Sequence, residues 1–530
     1  MYGAFVPGSE PPRGASALVA PFAVALVGLL WRLWLIPRYF GHEEEDWGNL
    51  QIARGVAESG FRWLELDHMP GYSWMVAAFV RLGVDVQTAA LGVASVCGAV
   101  TVGLVTWLGM RWFDRTTGLV AGLVVAFQPE AALYSATALR EAPYTALSVL
   151  GILLAGERRW LGAGLALSAA FLVRFNAAFA LLPALLLAAL WLRRRGEDAR
   201  GPLLAAALLG ATTATWALVY RLHPDGGTWA FWGSVASRNT GGAVADLSGP
   251  EHAEAVLEAV FGLALRVFPS HLGPPALLCV PVGIAAVLLA LRGRDDAMAR
   301  QRAWLALCAL GTLGLLFSAA AISTYEWFHN LYWKWLTPAV PLLAPLGVHG
   351  ARVVAARLSP ALRRPLIAVL VLATALTFSV QTRAQVRLSA SLYGPQVLAA
   401  RWVEDAFVED VVVVAAGIPV AWLGRVKSDR VVLEWTDPSV PAGDSETFGR
   451  WLFENRVATV FWFAEEWTAA PGKAPFLGRA EATELGPVTL RPVAWSSAYG
   501  MVAYAVQQAH GVPAPTHQPP PGTWFPPERP

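Results

Sequence analysis

The densest chemistry in the sequence is an acidic run, Gly41-His42-Glu43-Glu44-Glu45-Asp46-Trp47, that follows directly on an apolar stretch. Crowded carboxylates raise one another's pKa, which suits a group that must take up a proton near neutral pH. The functional reading of the four carboxylates Glu43 to Asp46 is therefore an acid/base or ligand-binding site. The run also has a plainer reading as a solvated cap, since acids favour the first turn of a helix. On a helix Glu43 and Asp46 would share a face while Glu44 and Glu45 point elsewhere, and the spacing does not single one out. His42 beside the acids could suggest a metal, but one His with adjacent carboxylates lacks a defined ligand spacing. Lysine occurs only at Lys334, Lys427 and Lys473, and Lys334 alone lies in apolar sequence.

Elements must hold these groups in place, and composition says which kind. The chain has 530 residues, of which 55% are hydrophobic and 15% charged, with a mean hydropathy of +0.47. An ordinary soluble chain is about 25% charged. Disorder and a small disulfide scaffold are excluded, and a net charge of +2 with no basic domain argues against a nucleic-acid partner. A spanning helix needs roughly 20 apolar residues. Segments of that kind fall near 17–36, 87–110, 117–135, 142–156, 160–175, 176–192, 202–220, 274–291, 303–322, 333–349 and 365–381, about eleven spans in all. The first is too long and too rich in Trp and Leu at its end for a cleaved signal.

Arginine sets the orientation. Arg111 and Arg115, Arg158 and Arg159, Arg193 to Arg195, Arg292 to Arg302, and Arg352 to Arg364 occupy alternate connections, which should face the cytoplasm. Residues 38–86, 221–273 and everything after 382 then lie outside, in a multi-pass protein of the inner (plasma) membrane. The apolar piece 69–82 is only about 14 residues long and contains Pro70, Gly71 and Arg81, so it is read as a surface helix, with 43–58 as another. Cys97, Cys279 and Cys308 fall inside spans and are read as packing residues. Residues 382–511 change character. Short β-branched or aromatic runs at 411–415, 431–435, 458–463 and 488–492, with helical spacing at 394–406 and 445–456, predict an extracytoplasmic α/β domain. The Pro-rich tail 512–530 is expected to be disordered.

In this order the motifs resemble the GT-C superfamily of polytopic glycosyltransferases, specifically bacterial relatives of the protein mannosyltransferases and of the lipid A aminoarabinose transferase. The resemblance rests on an apolar helix, the acidic run, the Ala53-Arg54-Gly55 helix and then His68-Met69-Pro70-Gly71-Tyr72. It continues through Gln128-Pro129-Glu130 to Leu139-Arg140-Glu141, Leu172-Val173-Arg174-Phe175-Asn176, and Tyr332-Trp333-Lys334-Trp335-Leu336-Thr337-Pro338. It covers roughly residues 17–350, and the family's usual Asp or Asp-Glu pair is replaced by the longer run at 43–46. The expected fold is thus an all-α, GT-C-like membrane module over 1–381 followed by the α/β domain.

The resemblance implies transfer of a sugar from a polyprenyl-phosphate carrier to an acceptor at the outer face, with inversion and with no cofactor and no metal. A carboxylate among Glu44, Glu45 and Asp46 would be the base. The departing phosphate needs a cation, for which Arg140, Arg174 and Lys334 are the candidates, with His329 and Tyr325 as hydrogen-bond donors. Cations at span ends also snorkel, and the aromatic residues also suit an interfacial belt. Glu141, His68 and Tyr72 are assigned to substrate binding, Glu141 having helix capping as its plainer reading. The loop 221–273 resembles the family's acceptor-covering loop. The expected partners are membrane lipid, the lipid-linked sugar and an acceptor protein, lipid or glycan. A transporter or flippase of lipid-linked saccharide and a non-catalytic scaffold are the alternatives. Transporters tend to carry repeated halves and mid-membrane charges, whereas here no repeat appears and charges sit at the ends of the spans.

Overall fold

The computed structural model describes residues 16–39, 44–61, 69–222, 272–293, 297–322, 337–392, 412–415, 432–434, 438–463, 473–477, 481–496 and 501–508. The chain forms two compact units, one of Met1–Pro37 with Val56–Arg383 and the other of Arg38–Gly55 with Ala384–Pro530.

The first unit is helical. Its elements in chain order are α1 (Ser16–Leu35), the last residues of α2 (Glu44–Glu58, whose residues up to Gly55 belong to the second unit), α3 (Gly71–Arg81), α4 (Val86–Trp112), α5 (Arg115–Phe127) and α6 (Pro129–Tyr134). Then come α7 (Glu141–Gly156), α8 (Trp160–Val173), α9 (Asn176–Arg194), α10 (Arg200–Leu222), α11 (Ala276–Gly293), α12 (Ala297–Ile322), α13 (Val340–Ala356) and α14 (Pro360–Leu392). Among the described residues the expected spans fall mainly on helix, that at 333–349 from Val340 onward. By length and composition α1, α4, α9, α10 and α14 suffice to cross a bilayer, and α5, α7, α8, α11 and α13 are shorter apolar helices. The chain is a multi-pass membrane protein. Side chains such as Phe22, Leu165, Leu187, Leu278, Leu289 and Val380 are exposed, as lipid-facing surfaces require.

Two expectations are corrected. The segment 117–135 is two helices, because Gln128 precedes Pro129 and takes an extended conformation (φ −61°, ψ 125°). A residue before proline is pushed out of the helical region. The Gln128 side chain then caps α6 through the Ala131 N–H at 2.6 Å. The last span runs on past 381 to Leu392, since Gln381, Arg383, Gln385 and Arg387 are polar but good helix formers.

The arginine-rich connections meet at one end of the unit. Glu157 accepts Arg111 Nε and Nη2 at 2.7 and 2.9 Å and Trp112 Nε1 at 3.1 Å, joining α4 to the end of α7. Glu197 accepts Arg300 Nη1 at 2.8 and 2.9 Å and Arg158 Nη2 at 3.3 Å. Asp114 caps α5 through the Thr117 N–H at 3.0 Å and also pairs with Arg352. The alternation of arginines along the chain is therefore a real alternation of ends in space.

The second unit carries a six-stranded mixed sheet in the order β2-β1-β3-β6-β5-β4. Its strands are β1 (Val412–Ala415), β2 (Val432–Glu434), β3 (Val457–Phe463), β4 (Thr483–Leu485), β5 (Val488–Ser496) and β6 (Met501–Gln508). β1 runs parallel to β2 and β3, and the remaining pairs are antiparallel. Helix α15 (Ser445–Glu454), capped by Asp444 on the Thr447 N–H at 2.8 Å, buries Phe448 and Leu452. Gly486 turns β4 into β5 at φ +60°, a conformation that favours glycine. The expected helical stretch at 394–406, the loop 221–273 and the tail 512–530 fall largely or wholly outside the described residues.

Candidate active site

Helix direction decides which polar groups can meet. α7 ends at the arginine-rich junction, and its 16 residues span about 24 Å, so its first residue, Glu141, lies at the far end of the unit. α8 starts at that junction with Trp160 and ends at Arg174, which places Arg174 beside Glu141. The two form an ion pair through Arg174 Nη1 and Glu141 Oε1, with side chains 8% and 0% exposed. Residues 33 apart in sequence thus make a buried pair at a helix start and a helix end. Glu141 Oε2 has no hydrogen-bond partner, and neither has Oδ1 of Asn176, a buried residue in the first turn of α9. A buried acceptor without a donor is costly, so both oxygens are suited to receive hydroxyl or ammonium protons from a ligand.

Arg140 precedes Glu141 at the start of α7, where it provides no side-chain cap. The tip of α3 closes this end from the side. A Cβ on Gly71 would stand 2.8 Å from the Leu172 carbonyl oxygen and 2.9 Å from the Val173 nitrogen, so only glycine allows α3 to abut the backbone leading into Arg174. Next to it Tyr72 is buried and donates its hydroxyl to the Ala90 carbonyl at 3.3 Å, which anchors α3 on α4. Tyr72 thus serves the architecture around Arg174 in this structure.

Of the candidate residues, Glu141, Arg174, Arg140 and Tyr72 all belong to this end of the helical unit. Glu44, Glu45 and Asp46 form the first turn of α2. Lys334, His329, Tyr325 and His68 lie outside the described residues. The ion-pair partner of Glu141 is Arg174.

Two groups escaped notice in the sequence. Asn176 stood inside a quoted motif without a role. Arg32, inside the first apolar span, is 1% exposed and hydrogen-bonded across to the α6–α7 connection. The available signal was an arginine within a spanning segment, weakened by its place near the helix end.

Among the described residues no group of three or more His, Cys, Asp or Glu side chains is arranged to hold a metal ion. Cys279 and Cys308 are buried, Cys97 is partly buried, and all are free thiols.

Comparison with solved membrane glycosyltransferases places the polytopic helical architecture in the GT-C fold. More particularly, residues 67–220, from before α3 to the end of α10, match the family model described as dolichyl-phosphate-mannose-protein mannosyltransferase. ArnT of Cupriavidus metallidurans, crystallised with undecaprenyl phosphate, has the same fold at a TM-score of 0.56 and 15% identity, over 93% of this chain and 98% of that one. The oligosaccharyltransferase AglB of Archaeoglobus fulgidus, in complex with an inhibitory peptide and a dolichol-phosphate, matches at 0.52 and 11%, over 88% of this chain and 73% of its own. An oligosaccharyltransferase of Archaeoglobus fulgidus tethered to an acceptor peptide matches at 0.54 and 13%, over 84% of this chain and 69% of its own. No curated protein matches the chain by sequence. The resemblance read from the motifs holds at the level of the fold.

Proposed function

We propose that this protein is a membrane glycosyltransferase that moves a sugar from a polyprenyl-phosphate carrier to an acceptor at the extracytoplasmic face of the plasma membrane. The observation that carries the reading is the buried Arg174–Glu141 pair, set at the end of the bundle in a fold whose relative ArnT binds undecaprenyl phosphate. A guanidinium fixed in a poorly hydrated site stabilises charge that develops on a leaving phosphate without first having to reorganise. Arg140 is the second cation, and Lys334, with His329 and Tyr325, completes the phosphate-binding set. Glu141, with His68, is assigned to the substrate side, its free Oε2 accepting from a sugar or acceptor hydroxyl, while Tyr72 supports that side by anchoring α3 on α4.

In the transfer step a carboxylate among Glu44, Glu45 and Asp46 takes the proton of the acceptor hydroxyl. The freed oxygen bonds to the anomeric carbon from the face opposite the phosphate. The bond from that carbon to the phosphate oxygen breaks, and its electron pair leaves with the polyprenyl phosphate. The anomeric configuration inverts, and the proton balance is closed by the protonated carboxyl returning its proton to solvent. The reading needs no cofactor and no metal.

The test is transfer by the purified chain from radiolabelled undecaprenyl-phosphate sugars, with Glu44→Ala, Glu45→Ala and Asp46→Asn made singly. Loss of transfer in at least one variant that still folds and still binds undecaprenyl phosphate is the expected result. Full transfer by all three would end the general-base assignment. Movement of intact lipid-linked sugar across vesicles without transfer would replace the enzyme reading by the flippase reading.

A further inference from the structure

We propose that Arg32 is a positioning residue whose guanidinium locks the buried turn between α6 and α7, and so sets where Arg140 and Glu141 stand. The inference deepens the transferase reading and rests on it for the reaction that Arg32 serves.

The guanidinium reaches three separate stretches of chain. Arg32 Nε donates to Ser135 Oγ at 2.6 Å, and Nη1 donates to the Gly28 carbonyl at 2.9 Å. Longer bonds run from Nη1 to the Ala126 carbonyl at 3.5 Å and from Nη2 to the Ala131 carbonyl at 3.4 Å. Every partner is a neutral oxygen. A buried guanidinium among neutral partners is expensive to place in lipid-embedded protein, and Leu or Met would fill an apolar slot without that cost. What only arginine supplies here is a rigid fork of several donors.

The turn needs such a fork. Residues 135–139 are all buried, so their backbone groups cannot turn to water, and α7 starts without a side-chain cap. Ser135 is held from both sides. Its Oγ accepts from Arg32 and donates to the Ala131 and Ala132 carbonyls, while its own carbonyl accepts from Ser95 Oγ at 2.9 Å. Five residues on, the chain delivers Arg140 and Glu141. The slot is cleared by a glycine on α4: a Cβ on Gly98 would fall 2.5 Å from Arg32 Nε and 2.6 Å from Ser135 Oγ. Arginine, serine and glycine on α1, the turn and α4 thus form one matched contact, and it acts on the site only through the turn.

The test uses the full chain in detergent with Arg32→Met, Arg32→Lys and Ser135→Ala. Hydrogen–deuterium exchange of peptides over 131–141 is compared with peptides over 205–222, and turnover is measured with radiolabelled undecaprenyl-phosphate sugars. In Arg32→Met, exchange over 131–141 should rise by about tenfold while 205–222 is unchanged. Its kcat should fall roughly 100-fold, as expected when a reacting group is displaced by about 1 Å, with KM for the lipid donor little altered. Arg32→Lys keeps the charge and some of the bonds and should recover part of both. Ser135→Ala removes one acceptor and should move both in the same direction by less. Unchanged exchange in Arg32→Met, or a kcat within about twofold of wild type, overturns the proposal. If Arg32→Met does not fold, an unaltered Ser135→Ala overturns it just as well. Failure of the transferase reading looks different: the wild-type chain then transfers nothing, and the positioning role falls with the reaction it serves, even where the exchange response persists.

Discussion

Removing either partner of the Arg174–Glu141 pair should cost far more than removing both. The Arg174 side chain is 8% exposed and that of Glu141 is 0%, so neither can turn to water when its partner is lost. Stranding one member of a buried pair costs about 3–5 kcal/mol, because an uncompensated charge remains in a poor solvent. Replacing both by apolar groups of similar volume removes the attraction and both desolvation penalties together, and such replacements are often close to neutral. Glu141→Leu and Arg174→Met should therefore each lose about 3–5 kcal/mol, and the double variant no more than either single. The coupling is measured by unfolding in mixed detergent micelles followed by tryptophan fluorescence. A second readout separates structure from function. Undecaprenyl phosphate at 100 times its Kd stabilises a binding-competent chain by about 2.7 kcal/mol. Both single variants and the double variant should lose most of that stabilisation, because the phosphate cation is either absent or misplaced. Single losses that add to within about 0.5 kcal/mol in the double variant would refute the buried-pair argument, whatever the activity shows.

Other outcomes follow from the arginine-rich end and from the packing. Burial raises the Glu157 carboxyl, but hydrogen bonds from Arg111 and Trp112 and the charges of Arg111 and Arg159 outweigh this and hold it below its ordinary value of 4.5. Asp114 is held below 3.8 in the same way, its burial outweighed by Thr117 and Arg352. With folded values below unfolded ones, both groups contribute stability above those ordinary values and lose it as pH falls through the folded ones. Melting temperature should thus drop steeply below about pH 4, and Glu157→Gln with Asp114→Asn should flatten that limb. Gly283→Ala and Gly350→Ala each place a Cβ 1.9 Å from a backbone carbonyl oxygen, of Leu346 and Cys279 respectively, and should destabilise by about 1–3 kcal/mol or more. Gly210→Ala has nothing within 4 Å and should be neutral or mildly stabilising in the same unfolding assay. In a chain freed of native cysteines, Glu45→Cys should react with a membrane-impermeant maleimide from outside intact cells and Arg195→Cys only after permeabilisation; the reverse pattern overturns the assigned orientation.

The spans were legible because hydropathy over a bilayer's thickness is a one-dimensional signal, and among the described residues the expected spans fall mainly on helix. Where the signal failed, the competing chemistry was local. Apolar sequence runs straight through 117–135, and only the Gln128-Pro129 step shows that one helix ends and another begins there. In the second unit β1, β2, β3 and β5 were visible as β-branched or aromatic runs. β4 has only three residues, Thr483–Leu485, and β6 reads Met501–Gln508 with little contrast between its faces. β4 exists through pairing with β5 and β6 through pairing with β3 and β5, which makes them properties of the sheet rather than of their own sequence.

The site shows the same division more sharply. Residue type marked Arg174, Arg140 and Glu141 as unusual, since a charge beside a spanning helix has few bland uses. Residue type did not say that Glu141 would meet Arg174, because their separation of 33 residues becomes contact only through the antiparallel run of α7 and α8. Arg32 went unmarked for the opposite reason: it lies three residues before the end of its helix, where snorkelling explains a basic side chain without further thought. Snorkelling predicts an exposed head group, and the guanidinium is 1% exposed with bonds to Ser135, Gly28, Ala126 and Ala131. The difference between a cation that escapes the membrane and one that organises it lies in its acceptors. In a chain this poor in charge those acceptors are backbone carbonyls and a serine, groups that hydropathy leaves unweighted and that become visible only once Gly98 has let α1, α4 and the α6–α7 turn come together.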